Sequence, residues 1–171
     1  DSRARSLATG RAMAIGLVIP SASKHEMVNP VFADFVAGAG AEFSSKGYDI
    51  VVSLVQDADD VKTYKELVSK GRVDGLIVQA PLKGDSRIAM LSNLGLPFVV
   101  HGRSSGYTGH YSWLDMDNRR AFYRATEHLL DLGHRRIALL NGLEDMDFAF
   151  RRREGFENAR HRGADYRSQC P

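Results

Sequence analysis

Short apolar runs alternate along the chain with longer stretches whose apolar residues recur every three to four positions. Residues 14–19, Ala-Ile-Gly-Leu-Val-Ile, form an unbroken apolar run, the pattern of a strand covered on both faces. Asn29-Pro30 then opens a stretch to Phe43 in which Val31, Phe32, Phe35, Val36, Ala39 and Phe43 follow helical spacing, with asparagine as the cap and proline in the first turn. The pattern predicts a strand over 48–55, a helix over 57–70 stopped by Gly71, a strand over 73–78, a helix over 81–93 and a strand over 98–100. A Gly- and Ser-rich loop follows at 102–109, then a mixed strand at 111–116, and Asp117-Asn118 caps a helix reaching Leu132. Residues 137–140, Ile-Ala-Leu-Leu, read as a sixth strand and 148–162 as a last helix. Strands alternating with helices in this way predict βαβ units and a mostly parallel sheet, an α/β fold.

Composition narrows the classes without choosing among them. A hydrophobic share of 43% is that of a globular protein rather than a disordered or fibrous one. No stretch approaches the ~20 consecutive apolar residues that span a bilayer, and the first residues lack the pattern of a secretory signal, so the chain is expected to be cytoplasmic with no membrane partner. Cys170 is the single cysteine, which excludes an intrachain disulfide and a thiolate metal cluster. Charge is uneven: residues 1–11 carry Arg3, Arg5 and Arg11 against Asp1, residues 134–171 carry eight arginines against six acids, and the stretch between holds two more acids than bases. A mildly negative body is a poor surface for neutralising phosphates. Any grip on DNA is therefore expected elsewhere.

Enzyme motifs are missing. The sequence has no Gly-x-x-x-x-Gly-Lys loop, no Gly-x-Ser-x-Gly elbow and no His-Glu-x-x-His helix, and its six histidines show no ligand spacing. No catalytic residue, cofactor or metal is expected. Gly38-Ala39-Gly40 falls inside a helix, where each glycine costs ~1 kcal/mol against alanine, and is expected to permit close packing, at a dimer contact.

Several segments in one order carry a family resemblance. They are the basic stub Ala4-Arg5-Ser6-Leu7-Ala8-Thr9-Gly10-Arg11, Asn29-Pro30-Val31-Phe32, Gly71-Arg72-Val73-Asp74-Gly75-Leu76-Ile77, Gly95-Leu96-Pro97-Phe98-Val99-Val100, Asp117-Asn118, the stretch from His128 to Leu140, and Arg152-Arg153-Glu154-Gly155-Phe156. Together they resemble the LacI/GalR family of bacterial transcription regulators. The resemblance implies a periplasmic-binding-protein-like core of two α/β lobes with a small effector, a sugar or similar polar ligand, in the cleft. It implies a homodimer that binds operator DNA through a helix-turn-helix head ahead of residue 1. On this view residues 1–11 are a hinge, 12–133 the first lobe and 134–171 the start of the second, with roughly a hundred residues more needed to complete a two-lobed core. Leu7 matches the apolar hinge side chain that wedges into the minor groove, with Arg5 beside it.

The same resemblance and the carboxyl-end rule for open sheets nominate the effector residues. Asp117 matches a ligand-contacting acid and Arg152, three before Gly155, a cleft arginine of the second lobe. Arg103 and Asn29 lie on the predicted rim, and Phe32 could stack on a ligand face. Phe148 departs from the small or polar residue usual at its position, narrowing the cleft or adding a stacking face. Three of them have a plainer alternative: Asp117 as a helix cap, Arg152 as a solvated arginine, Phe32 as a core wedge. The rival function is a transport-type sugar-binding protein of the same fold.

Overall fold

The computed structural model describes residues 10–20, 30–55 and 60–168. Within them the elements run β1 Ala14–Pro20, α1 Pro30–Ser45, β2 Asp49–Val55, α2 Asp60–Ser69, β3 Gly75–Gln79, α3 Ser86–Leu94, β4 Phe98–His101, β5 Ser112–Leu114, α4 Asn118–Asp131 and α5 Asp147–Ser168. The strands form one sheet in the order β2-β1-β3-β4-β5. Strand β1 is parallel to β2 from Ala14↔Asp49 to Pro20↔Val55, and to β3 from Ile15↔Gly75 to Leu17↔Ile77. This is the α/β fold that the alternating pattern predicts. Helices on both faces explain why β1 is apolar throughout. Leu17 and Ile19 pack with Phe35, Val36 and Phe43 of α1, Leu67 of α2 lies beside Gly16 on the alternate face, and Leu17 and Val18 are almost wholly buried. Edge strand β2, by contrast, leaves Val52 and Leu54 exposed.

The chain divides into two compact units, each discontinuous in sequence. The first takes residues up to 79 with 86–100 and 109–112, and the second takes 80–85, 101–108 and 113–171. In the first unit Leu17, Ile19 and Ile77 are the buried centre, with Ile15, Phe35, Val36, Phe43, Ile50 and Val99 packed around them. Phe32 belongs to this set as well, so its half-buried ring serves the core. Asp74 of the Val-Asp-Gly segment also acts here: its carboxylate accepts the Ala12 and Met13 amides at 2.7 and 2.8 Å, while its own amide donates to Ala14 O at 2.8 Å. Those bonds hold Met13 at φ +52, a left-handed conformation that non-glycine residues seldom take.

In the second unit α4 packs on α5. Gly155 is the closest point: a Cβ there would overlap the Arg119 carbonyl oxygen and lie 3.0 Å from the Tyr123 amide. Ala149, Phe156 and Ala159 are buried beside it on α5.

Four elements differ from the sequence expectation. The helix expected over 81–93 starts only at Ser86, because Gly84 takes φ +62 and Leu82 bridges Met146 in antiparallel fashion. The strand expected over 111–116 shortens to Ser112–Leu114, since the Met116 carbonyl turns back to accept the Asn118 amide at 2.7 Å. Residues 137–140 do not form a strand; among the described residues no strand pairs with them, and Leu140 is 95% exposed. A strand needs a hydrogen-bonded neighbour as much as an apolar sequence. The last helix runs past 162 to Ser168, as one glycine costs too little to end it. Residues 57–59 lie outside the described set. The glycine pair of α1 is not demanded by packing among the described residues, for a Cβ at Gly38 would meet nothing of them within 4 Å and one at Gly40 only Ile50 at 3.9 Å.

Candidate functional site

A row of polar side chains crosses the second unit where β4 and β5 end and α4 begins. Asp117 caps α4, its Oδ1 accepting the Arg120 amide at 3.0 Å. The next residue, Asn118, is 5% exposed and fully engaged: Nδ2 donates to Asp115 Oδ1 and to Met116 O, both at 3.2 Å. Its Oδ1 accepts Arg152 Nε at 2.9 Å. Asp115 Oδ2 in turn accepts Arg103 Nε at 3.0 Å. Arg103, Asp115, Asn118 and Arg152 thus form one continuous line.

Aromatic rings flank both arginines. The Arg152 guanidinium lies 4.7 Å from the Phe148 ring centroid and 5.2 Å from that of Phe122, and Arg103 lies 4.7 Å from Trp113. Cation–π contacts of this kind fix a guanidinium in orientation as well as position. Burial pushes the Arg152 guanidinium below its ordinary range, opposed by the negative charge of Asp115. Phe148 is itself held tightly, since a Cβ on Gly142 would come within 2.8 Å of its ring.

A second, buried network positions the loop that carries Arg103. Asp147, 1% exposed, accepts the Ser105 amide at 2.5 Å and Arg151 Nε at 2.5 Å. Arg151 Nη2 completes the ring by donating to Ser105 Oγ at 3.1 Å. Ser104 Oγ accepts the Asp85 amide at 2.9 Å and donates to Leu82 O at 2.7 Å. Gly102 sits at φ +117, where a Cβ would strike the Pro81 ring at 2.8 Å. Next to these groups a cleft of about 400 Å³ is lined by Arg103, Asp117, Arg119, Arg120, Tyr123, Arg151 and Asn158.

His101, at the end of β4, gives the site a pH dependence. Burial lowers its pKa from the ordinary 6.5, with Asp115 pulling weakly the other way. Below 6.5 the unfolded chain takes up a proton that the folded chain resists, so stability rises with pH across that window. The contribution is complete above 6.5 and is lost as pH falls through the lowered folded value. Urea midpoints at about pH 5 and about pH 8 are expected to differ less in His101→Gln than in the parent; an unchanged difference would remove His101 as the cause.

The structure brings together three of the residues nominated from sequence. Arg103, Arg152 and Phe148 share the polar row and its rings, while Asp117 lines the adjoining cleft and also serves as the cap. Phe32 lies in the first unit, and Asn29, Leu7 and Arg5 lie outside the described residues. Sequence reasoning missed Trp113, Phe122, Asp147 and Arg151, and did not read Asp115 and Asn118 as the bridge between two arginines. The available signal was the run Asp115-Met116-Asp117-Asn118, two acids and an amide at the end of a strand. Among the described residues no group of three His, Cys, Asp or Glu side chains is placed to hold a metal ion, and no helix is long and apolar enough to cross a membrane.

The α/β sheet in the order β2-β1-β3-β4-β5 defines a fold of the periplasmic-binding-protein type. Residues 12–166 match the family model for periplasmic binding proteins and the sugar-binding domain of the LacI family. The chain belongs to the LacI family. It is 41% identical over 156 residues to the HTH-type transcriptional regulator AglR of Rhizobium meliloti, covering 91% of this chain and 44% of that protein. It is 34% identical over 162 residues to the HTH-type transcriptional regulator RafR of Escherichia coli, covering 94% and 47%. Among solved structures, the transcriptional regulator CelR in complex with cellobiose superposes with a TM-score of 0.80 at 26% identity, over 95% of this chain and 51% of that one. The chain thus spans about half the length of the curated relatives it matches.

Proposed function

We propose that this chain is the effector-binding core of a ligand-responsive transcription regulator, and that its effector is a small sugar. The observation that carries the reading is the line Arg103–Asp115–Asn118–Arg152 with rings at both ends. Sugars need this combination of bidentate polar groups for hydroxyls and apolar faces for ring carbons. The regulator relatives and the cellobiose held by CelR support it. They favour it over a transport-type binding protein, which would have no output to DNA. The chain carries no catalytic role in this reading.

The working assembly is a cytoplasmic homodimer, with residues 1–11 as hinge, 12–133 as first lobe and 134–171 as the beginning of the second. Asp117, Arg152, Arg103 and Phe148 of the second unit contact the effector, and Leu7 and Arg5 meet operator DNA. A ligand that prefers one lobe arrangement biases the spacing of the paired heads, so it need not touch DNA itself. The test is thermal: ligand at a hundred times Kd adds about 2.7 kcal/mol, which for a chain of this size raises Tm by roughly 5–10 °C. Melting curves across a panel of mono-, di- and trisaccharides are expected to show such a rise for one sugar class. A flat panel would overturn the sugar reading.

A further inference from the structure

The cleft beside the polar row has a lining of one chemical character. Four of its side chains are guanidiniums, those of Arg103, Arg119, Arg120 and Arg151, and Tyr123 and Asn158 add further donors. Three of the arginines are anchored. Arg103 Nε is held by Asp115 at 3.0 Å, Arg119 Nη2 by Glu154 at 2.7 Å and Arg151 Nε by Asp147 at 2.5 Å, and none of these carboxylates lines the cleft. They fix the guanidiniums without filling the space between them, and most of the five N–H donors of each stay uncommitted. The Arg120 side chain makes no hydrogen bond or ion pair among the described residues. Tyr123 Oη accepts Arg162 Nη1 at 2.8 Å and so keeps its own hydrogen to donate. The one carboxylate of the lining, Asp117, already accepts the Arg120 amide.

The cleft lies on a different face of α5 from Arg152. Successive helical residues point about 100° apart, and Arg151 shares its face with Asn158, seven residues on. Arg152 instead turns to Asn118 and to the rings of Phe148 and Phe122. On α4, Arg119 and Arg120 precede Tyr123 by four and three residues and meet it along one side of the helix. A sugar hydroxyl donates as well as accepts, whereas an oxyanion only accepts. A lining rich in donors and poor in free acceptors fits the oxyanion.

We infer that this cleft is a second binding site, separate from the sugar site, for a small molecule bearing a phosphate ester. Guanidiniums bind phosphate oxygens in bidentate pairs. A volume of about 400 Å³ is that of a small-molecule pocket and leaves room for the organic part of the ester. The inference does not require the effector to be a sugar. Arg103 and Asp117 stand where row and cleft meet, so each ligand changes the affinity for the other without replacing it.

The full chain is titrated calorimetrically with glycerol 3-phosphate and glucose 6-phosphate, with glycerol and glucose as uncharged counterparts, and with inorganic phosphate alone. An ester is expected to bind more tightly than its counterpart and more tightly than the ion, and to weaken as salt is raised. Arg120→Gln is expected to weaken the ester roughly tenfold, the worth of a hydrogen bond to a charged group. Arg124→Gln makes the same change of charge one turn along α4 and outside the lining, and is expected to leave the affinity within about twofold. Unliganded Tm values equal to the parent's confirm that both variants are folded. Equal weakening by the two variants would reduce the effect to net charge and overturn the site. Inorganic phosphate that binds as tightly as the esters would overturn the ester. Displacement of a stabilising sugar by the ester, one for one, would show a single site and overturn the second. Ester binding in a chain that no sugar stabilises would keep this site and remove the sugar reading, and a sugar-dependent rise in Tm without ester binding would do the reverse.

Discussion

Arg152→Ala is expected to abolish the sugar-dependent rise in melting temperature. Three contacts go at once: the bond from Nε to Asn118 Oδ1 at 2.9 Å and the stacking on Phe148 and Phe122. Asn118 is buried, so its freed oxygen is left without that donor, a cost of ~1–3 kcal/mol. Truncating one partner of a buried, hydrogen-bonded charged group in an interface costs about 2–5 kcal/mol of binding, or roughly thirty-fold and more in Kd. Arg152→Lys separates charge from shape. Lysine keeps the positive charge but lacks the planar fork that stacks and bonds together, so an intermediate loss is expected. Calorimetric titration of the sugar that stabilises the parent measures both, and an Arg152→Ala protein that binds it with parental affinity would take Arg152 out of the site.

Gly155→Ala is expected to lower Tm by up to roughly 8 °C, although alanine is the better helix former. Propensity alone favours the change by ~1 kcal/mol. The new methyl, however, overlaps the Arg119 carbonyl, which belongs to the backbone of α4 and cannot rotate aside as a side-chain tip would. Overpacking of a close contact costs about 1–3 kcal/mol and more where the neighbour is rigid. Gly38→Ala provides the control, because its Cβ would meet nothing within 4 Å among the described residues. There propensity acts unopposed and Tm is expected to rise by a few degrees at most. Thermal melts of the two variants should therefore move in opposite directions; a rise for Gly155→Ala would mean that α4 and α5 are not in close contact there.

The contrast between these glycines shows what a sequence can and cannot disclose. Both lie in helical patterns and look alike on propensity, and only the packing of α4 on α5 separates them. Strands β1 and β3 were legible because burial on both faces leaves a continuous apolar signature. Residues 137–140 carry the same signature yet form no strand, since the pattern records a preference for burial and not the presence of a neighbour. The site was readable in parts. Arg103, Arg152 and Phe148 stood out by resemblance and rim position, but the bridge through Asp115 and Asn118 joins residues up to 34 apart in sequence. Asp147 was opaque for the same reason, its partner Ser105 lying 42 residues away. Asp74 was legible as part of a motif and illegible in role, since nothing local says that a carboxylate after β1 and α2 reaches back to the amides ahead of β1.

That Asp74 clasp has a mechanical consequence. Both amides immediately before β1 end on one carboxylate that is fixed beside β3, and bonds to a charged acceptor are worth about 1.5–3 kcal/mol each. A twist applied ahead of residue 12 meets this rivet before it meets the sheet. Such a twist loads Asp74, and with it the start of β3, as well as β1.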